Sequence, residues 1–241
     1  PPADTIDQDG VIDLDPDNVI ETHSFLGQHR VQSLGLGRGT RESVQDETVG
    51  AIGLGDAGRD WHSDLSYKPL PSLGSMLLTR ELPEEGGDTL FANMVRAYET
   101  LPANLKRIIE GRRAVHSYVY RYERLRALST WRPPLTQAQR DAVPPVDHPV
   151  VRTHPETGKR ALFVNEGFTS HIIGLPEDES TSVLEQLFAH SIRADNVYTH
   201  RWCPGDMLFW DNRSTIHFAP GCPDKYRRTL HRTTIEGDVP V

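Results

Sequence analysis

The sequence predicts a mostly β protein with flanking helices, arranged as a double-sheet barrel or jelly roll. Three observations predict this class: about ten short strand-like segments stand against two or three helical ones, strands and helices do not alternate regularly, and Gly and Pro are plentiful, at 19 and 18 residues. Short strands joined by Gly- and Pro-containing turns are typical of sandwiches and barrels, whereas a parallel sheet needs intervening helices. A chain of 241 residues can bury a sizeable core, and we expect one domain over residues 1–241.

The first part of the chain, residues 1–47, is expected to be acidic and rich in loops. Residues 1–29 hold seven Asp and Glu residues and no Lys or Arg, so they carry −7 of the formal net charge of −8. The pattern predicts a short strand at 11–14, a long mobile loop over 23–47 and a strand at 48–54. The glycine cluster in this loop is not a nucleotide-binding fingerprint, because no clear strand precedes it and no helix follows.

The remaining elements follow from alternation and from helical periodicity. Strands are predicted at 61–67, 75–81, 89–92 and 114–120, in a hairpin at 150–153 and 160–164, and at 197–202, 207–211, 214–218 and 227–237. Asn93 is a good N-cap for a first helix, Pro102 can begin a second that ends at Gly111, and an apolar stripe predicts a third over 177–192. The Arg-rich stretch 121–140 is expected to be a lid or surface helix anchored by Trp131.

A candidate metal site begins at residues 61–67, which read Trp-His-Ser-Asp-Leu-Ser-Tyr. In a strand, residues two apart share a face, so His62 and Asp64 would point the same way. They form half of a metal site that lacks a third ligand, and two His with one carboxylate are typical of Fe(II) sites. The alternative is a His at a strand end, paired with a neighbouring carboxylate. A similar pair, His154 and Glu156, falls in a predicted hairpin turn, where we expect both side chains to be exposed to solvent.

A second group of candidate residues lies near the end of the chain. His217 is expected on one strand of a hairpin and Arg228 on the returning strand, where alternation puts Arg228 and Arg232 on one face. Two arginines inside a barrel each need an anion, and a guanidinium offers a carboxylate two parallel hydrogen bonds. A dicarboxylate cosubstrate and an anionic substrate would satisfy them. The alternative is a pair of surface arginines on an edge strand.

Composition argues against several other classes of function. Beyond residue 29 the chain is close to neutral and carries no basic stripe with interleaved aromatic residues, so we expect no nucleic-acid partner. No apolar run is long enough to span a bilayer and no signal peptide is recognisable, so we expect no membrane partner. Cys203 and Cys222 are too few for a disulfide scaffold, and reduced thiols predict a cytoplasmic enzyme. The helical exterior is compatible with a homo-oligomer.

Together, the motifs resemble the taurine dioxygenase / 2,4-dichlorophenoxyacetate dioxygenase family of Fe(II)- and 2-oxoglutarate-dependent oxygenases. The matching stretches are Trp-His-Ser-Asp at 61–64, Gly-Gly-Asp-Thr at 86–89, His-Pro-Val-Val-Arg-Thr-His-Pro at 148–155, Leu-Phe-Val-Asn-Glu-Gly-Phe at 162–168, Trp-Asp-Asn-Arg at 210–213, and the set His217, Arg228 and Arg232. They cover residues 61–238 nearly continuously. The resemblance implies a double-stranded β-helix (jelly-roll) core. Family members usually open with a strand-helix-strand unit, which is not recognisable in residues 1–60.

The resemblance also implies a metal and a cosubstrate. His62, Asp64 and His217 match the positions that bind Fe(II). Thr89 and Arg228 match the pair that holds the distal carboxylate of 2-oxoglutarate. The implied cofactors are therefore Fe(II), 2-oxoglutarate as cosubstrate, and O2.

Three further residues resemble those that meet the substrate. Arg232 matches the arginine that binds the anionic group of the substrate, or in some members the cosubstrate, while Leu65 and Phe168 match positions that line the pocket. The iron and Arg228 hold the two ends of 2-oxoglutarate in this scheme, so Arg232 is expected to be left for another anion.

The implied activity is hydroxylation of a small, anionic organic acid, such as a sulfonate, alkyl sulfate or aryloxyacetate, with release of succinate and CO2. Two alternatives stay open: a biosynthetic hydroxylase or desaturase of an amino acid or natural product, and a jelly-roll metal- or ligand-binding protein without catalysis. The stretch 112–147, which carries few recognisable motifs, is where substrate choice would be encoded.

Overall fold

The computed structural model describes residues 31–33, 58–128 and 132–241, and for residues 31–33 it describes only the backbone. Within these ranges the chain is mostly β, as the sequence predicts. The strands are Val31–Ser33 (β1), Ser72–Glu81 (β2), Thr89–Asn93 (β3), Arg113–His116 (β4), Val146–Pro149 (β5), Val151–Thr153 (β6), Arg160–Leu162 (β7), Thr169–Ile172 (β8), Val197–His200 (β9), Met207–Asp211 (β10), Thr215–Phe218 (β11) and Thr229–Glu236 (β12).

A few helices accompany these strands in the same ranges. They are Met94–Glu99 (α1), Ala103–Ile109 (α2), Tyr118–Ala127 (α3), Gln137–Asp141 (α4) and Glu177–Ser191 (α5), with a 3-10 turn at Ala194–Asn196. In the described part of the chain, none of them has both the length and the apolar character that a membrane crossing requires.

The strands pair into antiparallel sheets. The largest has the order β1-β12-β2-β10, two more have the orders β11-β3-β9 and β5-β4-β8, and β6 pairs with β7 alone. Two of these sheets position the candidate site. His62 forms an isolated antiparallel bridge with His217 of β11, and β12 carries Arg232 opposite Leu77 of β2. Residues far apart in sequence therefore meet where these two sheets approach residue 62.

An aliphatic core holds the β11-β3 pair in place. Ala92 of β3 and Ile216 of β11 belong to the same buried cluster as Met94 of α1 and Leu187 of α5, and all four are less than 5% exposed. Full burial of a side chain such as Leu187 stabilises the fold by about 1.5–3 kcal/mol. The strand that carries His217 is thus fixed by packing behind it.

Several predicted elements are confirmed. The hairpin β6-β7 and the long helix α5 lie where the patterns predict them, and the Asn93 side chain accepts a hydrogen bond from the Arg96 N–H at 3.0 Å as the cap of α1. Cys203 and Cys222 are free thiols. Strand β10 has the predicted bounds.

The predicted strand at 61–67 is wrong. His62 makes a single bridge, the chain turns at Asp64, and Leu65 adopts a left-handed conformation with φ of 56°. The alternation of residue types at 61–67 comes from a tight turn, not from a pleat. His62 and Asp64 nevertheless point to the same place, because the turn brings the carboxylate back toward the imidazole.

Two further expectations are corrected. The strand predicted at 114–120 ends at His116, because the Ser117 side chain accepts a hydrogen bond from the Tyr120 N–H at 3.1 Å and so caps α3. The loop predicted over 23–47 contains strand β1, which pairs with β12. The predictions at 11–14, 35–39 and 48–54, and the anchor Trp131, lie outside the described residues.

Candidate metal centre

Three buried side chains that are far apart in sequence converge at one point. Asp64 Oδ1 lies 3.6 Å from His62 Nε2 and 3.7 Å from His217 Nε2. Each residue offers one ligand atom, and these atoms all lie within 4.8 Å of one another. Two imidazole nitrogens and one carboxylate oxygen therefore face a common centre, as in the facial arrangement that binds Fe(II).

The imidazole of His62 is oriented by its second nitrogen. Nδ1 lies 2.7 Å from the Asp60 carbonyl oxygen, so it carries the proton and Nε2 keeps its lone pair for a metal. The backbone is fixed as well, because His62 and His217 exchange N–H···O bonds of 3.0 and 2.8 Å. The side chain at this position has a set rotation and a set tautomer.

The Asp64 carboxylate is held by the oxygen that faces away from the two imidazoles. Oδ2 accepts hydrogen bonds from Ser75 Oγ at 2.7 Å and from Asn212 Nδ2 at 3.4 Å, and it pairs with Arg232 Nη2 at 2.5 Å. The Asn212 amide is itself oriented, since its Oδ1 accepts from Trp210 Nε1 at 3.0 Å. Ser75, Asn212 and Trp210 were not identified as site residues from the sequence, although the last two lie in the Trp-Asp-Asn-Arg motif.

His217 is held mainly by aromatic packing. Its ring centroid lies 4.9 Å from that of Trp210 and 6.0 Å from that of Phe91 on the neighbouring strand. Its Nδ1 is buried and has no hydrogen-bond partner among the described residues. Packing thus fixes the plane of this ring, whereas a hydrogen bond fixes that of His62.

The protonation states of the three groups suit a metal. Burial, followed by the charge of His217, lowers the pKa of His62 to about 3, and burial is also the main cause that lowers the pKa of His217 to about 4. Burial alone would raise the pKa of Asp64, but the charges of Arg232 and the two imidazoles outweigh it and hold the pKa well below its ordinary range. At neutral pH the site offers two neutral imidazoles and one carboxylate, the forms in which these groups bind metals.

The family of the chain is decided by a match over nearly its whole length. Residues 9–234 match the family described as taurine catabolism dioxygenase TauD, TfdA family. The chain belongs to this TauD/TfdA family. The match begins at residue 9, well before residue 61, where the motifs recognisable by eye begin.

Relatives within the TauD/TfdA family differ in the chemistry that their names describe. The chain is 39% identical over 181 residues to an alpha-ketoglutarate-dependent 2,4-dichlorophenoxyacetate dioxygenase of Cupriavidus pinatubonensis, a match that covers 75% of this chain and 61% of that protein. It is 35% identical over 209 residues to a pentalenolactone F synthase of Streptomyces avermitilis, covering 83% and 68% of the two chains.

A solved structure supports the same assignment. The crystal structure of AAD-2 in complex with Mn(II) and N-oxalylglycine matches with a TM-score of 0.69 and 31% identity, over 76% of this chain and 70% of that one.

A second polar group lies along β3, beside the metal centre. Arg228 Nε donates to the Gly87 carbonyl at 3.0 Å, and its Nη2 lies 3.4 Å from Thr89 Oγ1, which also accepts from Trp202 Nε1 at 3.0 Å. Thr89 is two residues from Phe91, the residue directly across from His217, so it lies about 7 Å along the strand from that ligand. Thr89 and Arg228, predicted as a pair, are therefore brought together, and Trp202 was missed.

Gly87 makes the approach of Arg228 possible. Its φ is 85°, and a Cβ there would lie 2.8 Å from Pro83 Cγ and 3.2 Å from Arg228 Cδ. Any side chain at this position would be strained in its backbone, would collide with Pro83 and would press against the Arg228 side chain.

Arg232 is not left free, contrary to expectation. Its Nη2 pairs with Asp64 and lies 3.4 Å from Ser75 Oγ, while its Nε is buried without a hydrogen-bond partner among the described residues. The side chain is 24% exposed. The guanidinium therefore stabilises the charge of a candidate metal ligand and offers an anion only the donors that Asp64 does not use.

The two predicted pocket residues lie in different surroundings. The Phe168 ring is buried, 6.2 Å from the His62 ring in an edge-on contact and 4.8 Å from the Tyr67 ring. Leu65 instead lines a cavity of about 230 Å³ together with Leu70 and Thr234, and none of the three candidate ligands lines it. Phe168 forms a wall near the metal centre, whereas Leu65 contributes to the site through the turn that places Asp64.

Of the pair at the 154–159 turn, Glu156 is exposed as expected, whereas His154 is buried, contrary to expectation. His154 is 3% exposed, and its Nε2 lies 3.0 Å from Asp211 Oδ2. Asp211 also binds Arg213, which reaches Glu156 Oε1 at 2.8 Å. His154 also lies 3.3 Å from Glu156 Oε2 through its Nδ1, so two carboxylates compensate for the burial of its imidazole.

Proposed function

We propose that the chain is an Fe(II)- and 2-oxoglutarate-dependent oxygenase that hydroxylates a small, anionic organic acid and releases succinate and CO2. The observation that carries the proposal is the convergence of His62, Asp64 and His217, with Asp64 Oδ1 facing both Nε2 atoms. Because the chain spans 61% of the length of the dichlorophenoxyacetate dioxygenase it resembles, the activity of the whole protein is part of the proposal. A double-stranded β-helix (jelly-roll) arrangement of the sheets and a cytoplasmic location are parts of it too.

Each group of residues has a task in this function. His62, Asp64 and His217 hold Fe(II), which together with 2-oxoglutarate and O2 supplies the oxidising power. Arg228 and Thr89 bind the distal carboxylate of 2-oxoglutarate, for which a half-buried guanidinium and a hydroxyl are a suitable pair. Phe168 excludes water from one side of His62.

The direct test is turnover of 2-oxoglutarate by the purified chain with Fe(II) and ascorbate. Succinate is measured across a panel of sulfonates, alkyl sulfates, aryloxyacetates and amino acids, with His62→Ala as the matched inactive variant. We expect one class to raise succinate formation well above the rate without substrate. Absence of succinate in every arm, with the chain folded and loaded with Fe(II), would favour a metal- or ligand-binding protein without catalysis.

A second candidate function is a biosynthetic hydroxylase or desaturase of a natural product. It is favoured by the 35% identity to a protein named as a synthase, over 83% of this chain. Turnover of amino acids or natural products in a second panel, with no response to the sulfonates, alkyl sulfates and aryloxyacetates, would select it.

The substrate anion is tested through Arg232. Arg232→Gln is expected to lower kcat/KM for the substrate by about 10–100-fold, because one charge-assisted hydrogen bond to the substrate is lost. Because Arg232 also pairs with Asp64, Co(II) affinity is measured on the same variant. A loss of kcat/KM with little change in Co(II) affinity supports a role in substrate binding. An equal loss of both means that Arg232 serves Asp64, and a raised KM for 2-oxoglutarate alone means that it binds the cosubstrate.

A further inference from the structure

We propose that Arg121 is a positioning residue for His62, which it orients through Asp60. The inference rests on the proposed metal centre, but it concerns residues that lie outside every motif of the resemblance. In this proposal, a side chain of helix α3 orients the candidate metal ligand His62 indirectly, through Asp60.

An uninterrupted series of contacts joins Arg121 to the ligand. His62 Nδ1 donates to the Asp60 carbonyl oxygen at 2.7 Å, and Asp60 Oδ2 accepts from Arg121 Nε at 3.0 Å. The Arg121 and Asp60 side chains are 7% and 12% exposed. A pair so shielded from water is far less screened than a surface salt bridge. Since the carbonyl and the carboxylate belong to one residue, holding the carboxylate sets the direction of the carbonyl.

The backbone around Asp60 is fixed on both sides, so a small rotation there is transmitted to His62. Gly58 O accepts from the Ala219 N–H at 2.9 Å, and Trp61 O accepts from the Gly167 N–H at 3.1 Å. Asp60, whose carbonyl oxygen accepts from His62 Nδ1, lies between these two hydrogen bonds and is also held by its ion pair with Arg121. Loss of that pair would let the carbonyl tilt without unfolding the segment.

Arg121 also supports the other side of the imidazole. Its guanidinium carbon lies 5.2 Å from the centroid of Phe168, whose ring meets His62 edge-on at 6.2 Å. The same side chain therefore contacts the residue that carries the His62 acceptor and the aromatic wall beside the ring. Arg121 belongs to α3, within the 112–147 stretch, so a change in that region can alter the metal ligand without altering a ligand residue.

Co(II) affinity and the visible absorption of bound Co(II) are the measurements that test this positioning role. Arg121→Met and Asp60→Asn are each expected to weaken Co(II) binding about 10-fold, at the low end of outer-shell effects, and to shift the Co(II) absorption. The double variant is expected to bind no more weakly than the worse single variant, because both changes break one linkage.

Arg124→Met is the matched control. Arg124 lies one turn along α3 and also makes an ion pair, with Glu166 at 3.2 Å, and a contact with an aromatic ring, that of Tyr120 at 5.6 Å. Neither contact involves Asp60 or His62 itself. Its Co(II) affinity and spectrum are expected to stay within about twofold of the parent, well short of outer-shell losses.

The outcomes separate this inference from the function on which it rests. A folded Arg121→Met protein with unchanged Co(II) affinity and spectrum overturns the inference. If that variant does not fold, Asp60→Asn, which keeps the size of the side chain, decides in the same way. Loss of Co(II) binding in His62→Ala with no change in the other variants leaves the proposed function standing. Unchanged binding in His62→Ala overturns the metal centre itself.

Discussion

At the scale of single residues, the two oxygens of the Asp64 carboxylate have different tasks. Oδ1 faces the two imidazoles, while Oδ2 is occupied by Ser75 and Arg232. Because several donors bind Oδ2, the carboxylate cannot rotate freely, and Oδ1 points in one direction, toward the two imidazoles. These contacts would hold Asp64 in a direction that suits a metal ligand.

Removal of one candidate ligand should weaken metal binding more than removal of a supporting contact. His217→Ala is expected to abolish metal-dependent turnover and to weaken Co(II) binding by more than the ~10–100-fold typical of outer-shell changes. The control is His231→Ala, a half-buried histidine on β12 opposite Leu78. A titration with Co(II) checks both, and near-parent affinity in His217→Ala would remove this residue from the ligand set.

Arg228 and Thr89, the two proposed anchors of 2-oxoglutarate, should differ in strength. Arg228→Met is expected to raise the KM for 2-oxoglutarate about 10- to 100-fold, because a charge-assisted hydrogen bond is worth about 1.5–3 kcal/mol. Thr89→Ala removes a neutral bond worth ~1 kcal/mol and should have a smaller effect. Steady-state kinetics over a range of 2-oxoglutarate concentrations measures both. An Arg228→Met variant with the parent KM would contradict the assignment.

At the scale of elements, the turn at 64–67 decides where the carboxylate points. Leu65 has a φ of 56°, a conformation that costs a residue with a Cβ roughly 1–2 kcal/mol. The Ser72 N–H donates to the Asp64 carbonyl at 3.4 Å, which ties the turn to the start of β2. Strain beside a candidate ligand is tolerated here because the surrounding contacts hold the turn closed.

Substitution of Leu65 by Gly and by Ala measures this strain. At most positions Ala is more stabilising than Gly, but with a positive φ the order should reverse, with Leu65→Gly about 1 kcal/mol more stable than Leu65→Ala. Leu128, which is exposed and has a φ of −93°, provides the control pair, where Ala should be favoured. Urea unfolding gives the four free energies. If Leu65→Ala were instead more stable than Leu65→Gly, the turn would not be strained in solution.

At the scale of the whole molecule, a largely buried ionic cluster joins the β6-β7 hairpin to the end of β10. Asp211 binds His154 and Arg213, and Arg213 reaches Glu156. Burial alone would raise the pKa of Asp211, but the hydrogen bonds from His154 and Arg213 outweigh it and lower the pKa from 3.8 to about 2. The cluster lies on the chain just before Asn212, so it supports the loop that holds Asp64.

The pH dependence of stability should reveal this cluster. A lowered carboxyl pKa stabilises the fold above about pH 4, and this stabilisation is lost as the pH falls through about 2. Asp211→Asn leaves Arg213 buried with Glu156 as its remaining carboxylate partner and should cost up to about 3–5 kcal/mol at neutral pH, with a smaller difference from the parent in acid. Thermal unfolding between pH 2 and 7 tests it. A difference that does not depend on pH would contradict the role of this carboxyl.

The sequence by itself predicted much of the architecture and the candidate ligands. Helix α5 and the β6-β7 hairpin carry local signals, because an apolar stripe and a turn flanked by strands are patterns of neighbouring residues. His62, Asp64 and His217 could be named because imidazole and carboxylate types are chemically distinctive and their motifs resemble a family.

Only the tertiary structure decided how these residues meet and what surrounds them. That Arg232 pairs with Asp64, that His154 is buried and that Arg121 reaches Asp60 all depend on contacts between segments distant in the chain. A local pattern predicts on which face of an element a side chain lies, but not which charged group from a distant segment will lie beside it. The turn at Leu65 shows the same limit, because a positive φ in a residue other than glycine is imposed by packing and has no signature in the residue itself.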